Sequence, residues 1–185
     1  MKLKLAILSI FILGNLTFAQ TKELDSIPRK KIKALRIDQP IKIDAVFDEE
    51  AWNSAPIATN FVQRSPKNGV PVPDSLRTEV KILYDDTGIY FGVQMFDPEP
   101  EKIAKEMVER DNVGNDDLFG VILNGYNDKQ QSLEFLVMPT GVQYDAKITN
   151  DNGEDDSWNG VWYSAAKINE KGWFIEMKIP YSELS

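Results

Sequence analysis

The sequence contains no cysteine and no histidine. The first absence excludes a disulfide framework and a thiol nucleophile. Together the two remove the usual zinc ligands and the Ser-His and Cys-His catalytic pairs. An exported chain without disulfides suits a bacterial periplasm or cell surface better than a small animal secreted domain. Positive charge is also scarce: 21 Lys and Arg stand against 29 Asp and Glu, a formal charge of -8. That balance argues against nucleic acid or anionic lipid as a partner held by bulk electrostatics.

One apolar run is present, at the N-terminus. Lys2 and Lys4 precede Leu5 to Leu13, and Thr17-Phe18-Ala19 supplies small residues at the minus-three and minus-one positions. This reads as a signal peptide over residues 1–19, cut before Gln20. The run is too short for a permanent span of about 20 residues, which disfavours a retained signal anchor. Without Lys2 and Lys4 the mature chain is two units more negative. No Cys stands at the cleavage point to carry a lipid. The expected location is the periplasm, the outer membrane or the cell surface.

Residues 20–35 are polar and read as a flexible lead-in. From Ile41 onward the pattern has period two. Ile41 and Ile43 flank a first strand end, and Asp48 to Trp52 form a short helical turn that Asp48 is placed to cap. Val80, Ile82 and Tyr84 alternate with Glu79, Lys81 and Leu83. Asp85-Asp86-Thr87-Gly88 is a hairpin turn. Further strands run over Ile89 to Met95, Leu118 to Leu123, Leu133 to Val137, Val142 to Ile148, Val161 to Ile168 and Trp173 to Ile179. Pro100 to Arg110 has helical spacing through Ile103, Met107 and Val108. Short strands separated by turn signals predict an all-β fold, an antiparallel β-sandwich or barrel. Crossover helices are missing from the pattern, which disfavours a parallel α/β fold. The sequence stops soon after a strand without a closing loop, so it reads as a fragment lacking one or more final strands.

Several pieces then match one family in order. They are Ile43-Asp44-x-x-x-Asp48-Glu49-x-x-Trp52; Thr78-Glu79-Val80 with Tyr84-Asp85 and Ile89-Tyr90; Asp97-Pro98; Asp116-Asp117-Leu118-Phe119; Asn124; Gly141-Val142 with Asp145; Trp158; Trp162; and Gly172-Trp173-x-x-Glu176-x-x-Ile179-Pro180. Over residues 36–185 the chain resembles the family 9 carbohydrate-binding module, a calcium-bearing, jelly-roll-like β-sandwich. It looks like the version at the N-terminus of large exported Bacteroidota proteins, in which an outer-membrane-associated second domain follows. The resemblance implies non-catalytic binding of polysaccharide or oligosaccharide and an association with carbohydrate catabolism. Family members grip a chain end between two tryptophans. Here the first clamp position falls near Val113 or Gly114, a sugar-contacting Glu falls near Phe119, and the second tryptophan would lie beyond Ser185. Ala45 replaces a glycine common in the opening motif, which implies a turn that avoids positive φ.

Sugar binding needs flat apolar faces and polar groups for hydroxyls. Trp158, with Asn159 in a polar loop, is the leading candidate; Trp162 and the hairpin-tip Tyr126 are the others. Each also has a plain reading, as core or as a solvated turn. Trp52 and Trp173 fall on inward faces and read as core. Calcium needs several oxygen ligands. Asp151, Glu154, Asp155 and Asp156 form one candidate set, Asp116 and Asp117 with Asp111 a second, and Asp44, Asp48 and Glu49 a third; each equally reads as a solvated acidic loop. An enzyme would have to use carboxylates, and Glu134 with Glu176, read as outward-facing, is the conceivable glycosidase pair. The alternatives to a carbohydrate-binding domain are a structural or protein-interaction sandwich whose sugar clamp is lost, and a glycoside hydrolase.

Overall fold

The structure is a computed structural model that describes residues 30–184 except 129 and 151. The expected signal peptide, most of the expected lead-in and the candidate ligand Asp151 therefore lie outside the described residues. The chain divides into two units, residues 1–31 and 32–185, and the fold below is that of the second.

Its elements run in the order β1 (Leu35–Arg36), α1 (Glu50–Ser54), β2 (Ile57–Ala58), β3 (Thr78–Tyr84), β4 (Gly88–Phe96), β5 (Phe119–Leu123), β6 (Gln131–Val137), β7 (Gln143–Thr149), β8 (Gly153–Asp155), β9 (Tyr163–Asn169) and β10 (Gly172–Pro180). One sheet has the order β1-β3-β4-β10-β9, with β2 also on β3; the other has the order β5-β6-β7-β8. Every pairing is antiparallel except the two-residue contact of β1 with β3. The fold is thus the expected β-sandwich with one short helix.

The period-two pattern builds the core directly. Val80, Phe91, Val93, Ile175, Met177 and Ile179 from the first sheet meet Leu133, Phe135 and Val137 from the second. The opposite face of the first sheet is covered as well. Leu83 and Tyr90 point there and are buried under Ile37, Ile41, Trp52 and Ala55. Gly92 makes this cover possible, because a Cβ there would lie 2.8 Å from the Trp52 ring. On the outer face of the second sheet, Leu136, Met138, Tyr144 and Ala146 form a third cluster with Val113 and Val142.

Several expectations need correction. Ile41 and Ile43 lie in irregular chain, and the first strand falls earlier, at the end of the expected lead-in, at Leu35–Arg36. Residues 100–110 do not form a helix; only Pro100–Lys102 make a 3-10 turn. Ile103 is buried but Met107 is fully in solvent, so the segment has no apolar stripe to dock, and short helices need one. Asp48 does not cap α1: the cap position is Glu49, without a side-chain cap bond, and its Oε1 accepts the Lys42 N–H at 2.9 Å. Ala45 does adopt positive φ, at 57°, in the region where its family relatives were expected to need glycine. The cause is Glu176, whose Oε2 accepts the N–H of both Asp44 and Ala45 and bends the backbone around itself.

Candidate functional site

The segment between β8 and β9 is fixed by one buried carboxylate. Asp145, on β7 and fully buried, faces the space between the sheets. Its Oδ1 accepts the Gly160 N–H at 2.8 Å, and its Oδ2 accepts the Trp162 indole N–H at 2.9 Å and a guanidinium N–H of Arg110. Arg110 also donates to the Gln143 Oε1 at 2.6 Å, and Gln143 donates to the Ser164 Oγ at 2.9 Å. These bonds tie the loop at 158–162, the segment around 110 and β9 to one strand.

The aromatic candidates separate on this frame. Phe135 is flanked edge-on by Trp158 at 5.8 Å and by Trp162 at 5.4 Å. Trp162 is buried, which corrects its reading as a sugar ligand: its ring belongs to the core and its N–H to Asp145. Trp158 is half-buried and folds over Gly160, where a Cβ would sit 2.8 Å from its ring. Asn159 is exposed beside it, its Nδ2 donating to the Ser157 carbonyl at 3.4 Å. Tyr126 is exposed at the β5–β6 turn. Tyr126 stands on the β5–β6 turn, whereas Trp158 stands on the loop between β8 and β9 and packs on Phe135 of β6.

The acidic candidates do not gather either. Glu154 accepts the Tyr144 hydroxyl, and Asp155 accepts the N–H and hydroxyl of Ser157. Asp156 is exposed. Asp116 accepts the Glu106 N–H through Oδ1, and Asp117 accepts the Ala104 N–H at 3.2 Å. Among the described residues no three acidic side chains converge as a metal site. Glu154, Asp155 and Asp156, the described members of the acidic-loop set, do not gather around one point. Asp116 does keep one buried oxygen, Oδ2, without a partner.

The carboxylates weighed for catalysis stand on opposite sides of the sandwich. Glu134 pairs with Ala146 on the outer face of the second sheet. Burial, and then the Glu154 carboxylate, push its pKa up. Glu176 lies on the outer face of the first sheet, but it is fully buried rather than exposed, because the opening segment covers it. It accepts N–H bonds from Asp44, Ala45 and the Trp52 indole at 3.0, 2.9 and 2.9 Å. Burial raises its pKa to about 7. The sheets alone are about 10 Å apart, and the two carboxyls point away from each other. A glycosidase pair requires a separation of about 5–9.5 Å, so these two cannot act as one.

The sequence reading passed over Asp145 as a site organiser. The available signal was an acid on the inward-facing side of β7, directly opposite Phe135.

The family described as carbohydrate family 9 binding domain-like matches residues 43–185. No curated protein matches the chain. Among solved structures, a family 9 carbohydrate-binding module from Caldicellulosiruptor kristjanssonii in complex with cellotriose aligns with a TM-score of 0.55 at 16% identity, covering 81% of this chain and 67% of that one. A module of that family from the same organism in complex with glucose aligns with a TM-score of 0.53 at 17% identity, covering 81% and 69%. At such identities the structural likeness concerns the fold. The family match spans most of the chain, which belongs to the carbohydrate family 9 binding domain-like family.

Proposed function

We propose that this chain is the non-catalytic carbohydrate-binding domain of an exported protein that takes part in polysaccharide breakdown. Sugar is held by stacking on the Trp158 face and by hydrogen bonds from neighbouring polar groups, Asn159 first among them. The observation that carries this reading is the half-buried Trp158 on a loop held rigid by Asp145. A ring fixed before binding loses little entropy on binding. The solved neighbours were captured with cellotriose and glucose, which supports a glucose-type ligand for this fold. The N-terminal segment supports export, and an outer-membrane-associated domain following this one is part of the same proposal.

Affinity electrophoresis in gels containing β-glucan, xylan or mannan tests the reading. Wild type is retarded in at least one gel, and Trp158→Ala weakens the apparent affinity about tenfold, in line with the loss of one stacking contact worth roughly 1.4 kcal/mol. Retardation of wild type by none of the polysaccharides overturns it.

One observation favours the second reading, a structural or protein-interaction domain. Val113, where the family's first clamp aromatic was expected, is packed into the third cluster with Leu136 and Tyr144. An unretarded wild type would select this reading.

We also propose a structural calcium ion against Asp116 and Asp117, where the unpartnered Asp116 Oδ2 supplies a buried anionic oxygen. Excess calcium then raises the melting temperature by several degrees over that in chelator, and Asp116→Asn removes the difference. Equal melting temperatures for wild type reject the ion.

A further inference from the structure

The outer face of the six-stranded sheet carries a pocket with the composition of a sugar site. It has a volume of about 420 Å³ and is lined by Phe47, Gln94, Asn169, Glu170, Lys171 and Phe174. That volume is typical of small-molecule sites, which run from about 300 to 1,000 Å³. Phe47 and Phe174 form its aromatic part, their ring centroids 5.4 Å apart at 64°. Trp52 also packs against Phe47, at 5.3 Å and 32°. Gly92 again permits the arrangement, since a Cβ there would come within 3.0 Å of the Phe47 ring.

Polar groups with free capacity stand around the rings. Gln94 is the cross-strand partner of Phe174. Its Nε2 donates to the carbonyls of Met95 and Trp173 at 3.1 and 3.2 Å. Both amide N–H groups are thereby used, and the fixed Oε1 remains as an acceptor. Asn169 accepts the Lys171 N–H through Oδ1 at 2.8 Å, which leaves its amide N–H groups as donors. Glu170 and Lys171 are exposed and of opposite sign, so the rim has no net charge.

We propose that this pocket is a second carbohydrate site, which takes a neutral pyranose ring against Phe47 and Phe174. The aromatic faces meet the C–H side of the sugar, and Gln94, Asn169 and Lys171 meet its hydroxyls. The absence of net rim charge selects neutral sugars over uronic acids and amino sugars. The site lies on the far side of the first sheet from the core in which Trp158 packs, so one chain engages two sugar residues. This inference rests on the carbohydrate-binding reading.

The test is an NMR titration of the full chain with methyl β-D-glucopyranoside, methyl β-D-xylopyranoside and methyl α-D-mannopyranoside. At least one sugar shifts the side-chain amide of Gln94 and the backbone amides of Lys171 and Phe174. Phe174→Leu, which keeps an apolar contact, weakens the affinity read from those signals about tenfold and leaves signals near Trp158 unaffected. Lys171→Ala, at an exposed turn position, weakens it about threefold. Shifts confined to the surroundings of Trp158 overturn the second site and leave the proposed function standing. Unchanged affinity in both variants also overturns it. A titration without any shift overturns the two readings together.

Discussion

Replacing Glu176 with alanine is expected to lower the unfolding free energy by roughly 3–5 kcal/mol. The carboxylate is fully buried and is the shared acceptor of the Asp44, Ala45 and Trp52 donors. Its removal strands the buried Ala45 and Trp52 N–H groups, each costing about 1–3 kcal/mol before water enters, and the part-buried Asp44 N–H. It also removes the acceptor of the two N–H groups at the positive-φ turn of Ala45. The cover over Leu83 and Tyr90 then loosens. Urea unfolding followed by tryptophan fluorescence reads both effects, because Trp52 reports on this corner. A loss below 1 kcal/mol would mean that Glu176 is not the anchor.

The same residue gives stability a pH dependence of definite sign. Burial and then Glu49 raise the Glu176 pKa from 4.5 to about 7, against the three N–H donors that favour the anion. The native state thus holds a proton between about pH 4.5 and 7 that the unfolded chain has released. Stability is full below 4.5 and is lost as pH rises through 7, by at most about 3 kcal/mol. Asp85 works in the opposite direction at lower pH. Burial opposes its ionisation, but bonds from Tyr90, Thr87 and Gly88 outweigh burial and hold its pKa at about 2. Its contribution is present above about 3.8 and is lost as pH falls toward 2. The stability profile therefore peaks between about pH 4 and 5. Glu176→Gln flattens the neutral limb; an unchanged slope in that variant would assign it elsewhere.

The fold was legible because the strands alternate cleanly. Ile89, Phe91, Val93 and Met95 on β4, and Leu133, Phe135 and Val137 on β6, announce one buried face each, and the structure places both sets in one core. The opening motif was legible as a corner, and Trp52 as a core residue. The second cover was not legible. Glu176 sits at an outward strand position, and nothing in a period of two tells whether that face meets water or another part of the chain. The helix expected over residues 100–110 failed for a related reason. Spacing suggested an apolar stripe, but of Ile103, Met107 and Val108 only Ile103 joins the core cluster. The candidate site was legible only in part. Aromatic identity and loop polarity pointed to Trp158 and Trp162 together, whereas the difference between them depends on Asp145, which accepts the N–H of Trp162.

That dependence supplies the second large effect. Asp145→Ala is expected to cost about 3 kcal/mol of stability and to weaken carbohydrate binding at Trp158. The variant leaves the Gly160 N–H and the Trp162 indole N–H without their acceptor inside the protein, at about 1–3 kcal/mol each. Arg110 adds less than a buried cation would, because its side chain is 41% exposed and rehydrates once the aspartate is gone. With the Gly160 anchor lost, the 158–162 loop no longer holds Trp158 against Phe135, and the entropy saved by a fixed ring is lost. Arg110→Met separates the two roles. It removes the ion pair and keeps both N–H bonds, so it costs no more than about 1 kcal/mol and retains retardation in polysaccharide gels. Asp145→Asn keeps one acceptor oxygen and falls between them. The order Arg110→Met, Asp145→Asn, Asp145→Ala should hold for both melting temperature and gel affinity. If stability follows this order while affinity stays constant, the Asp145 anchor serves the fold alone and Trp158 does not depend on it.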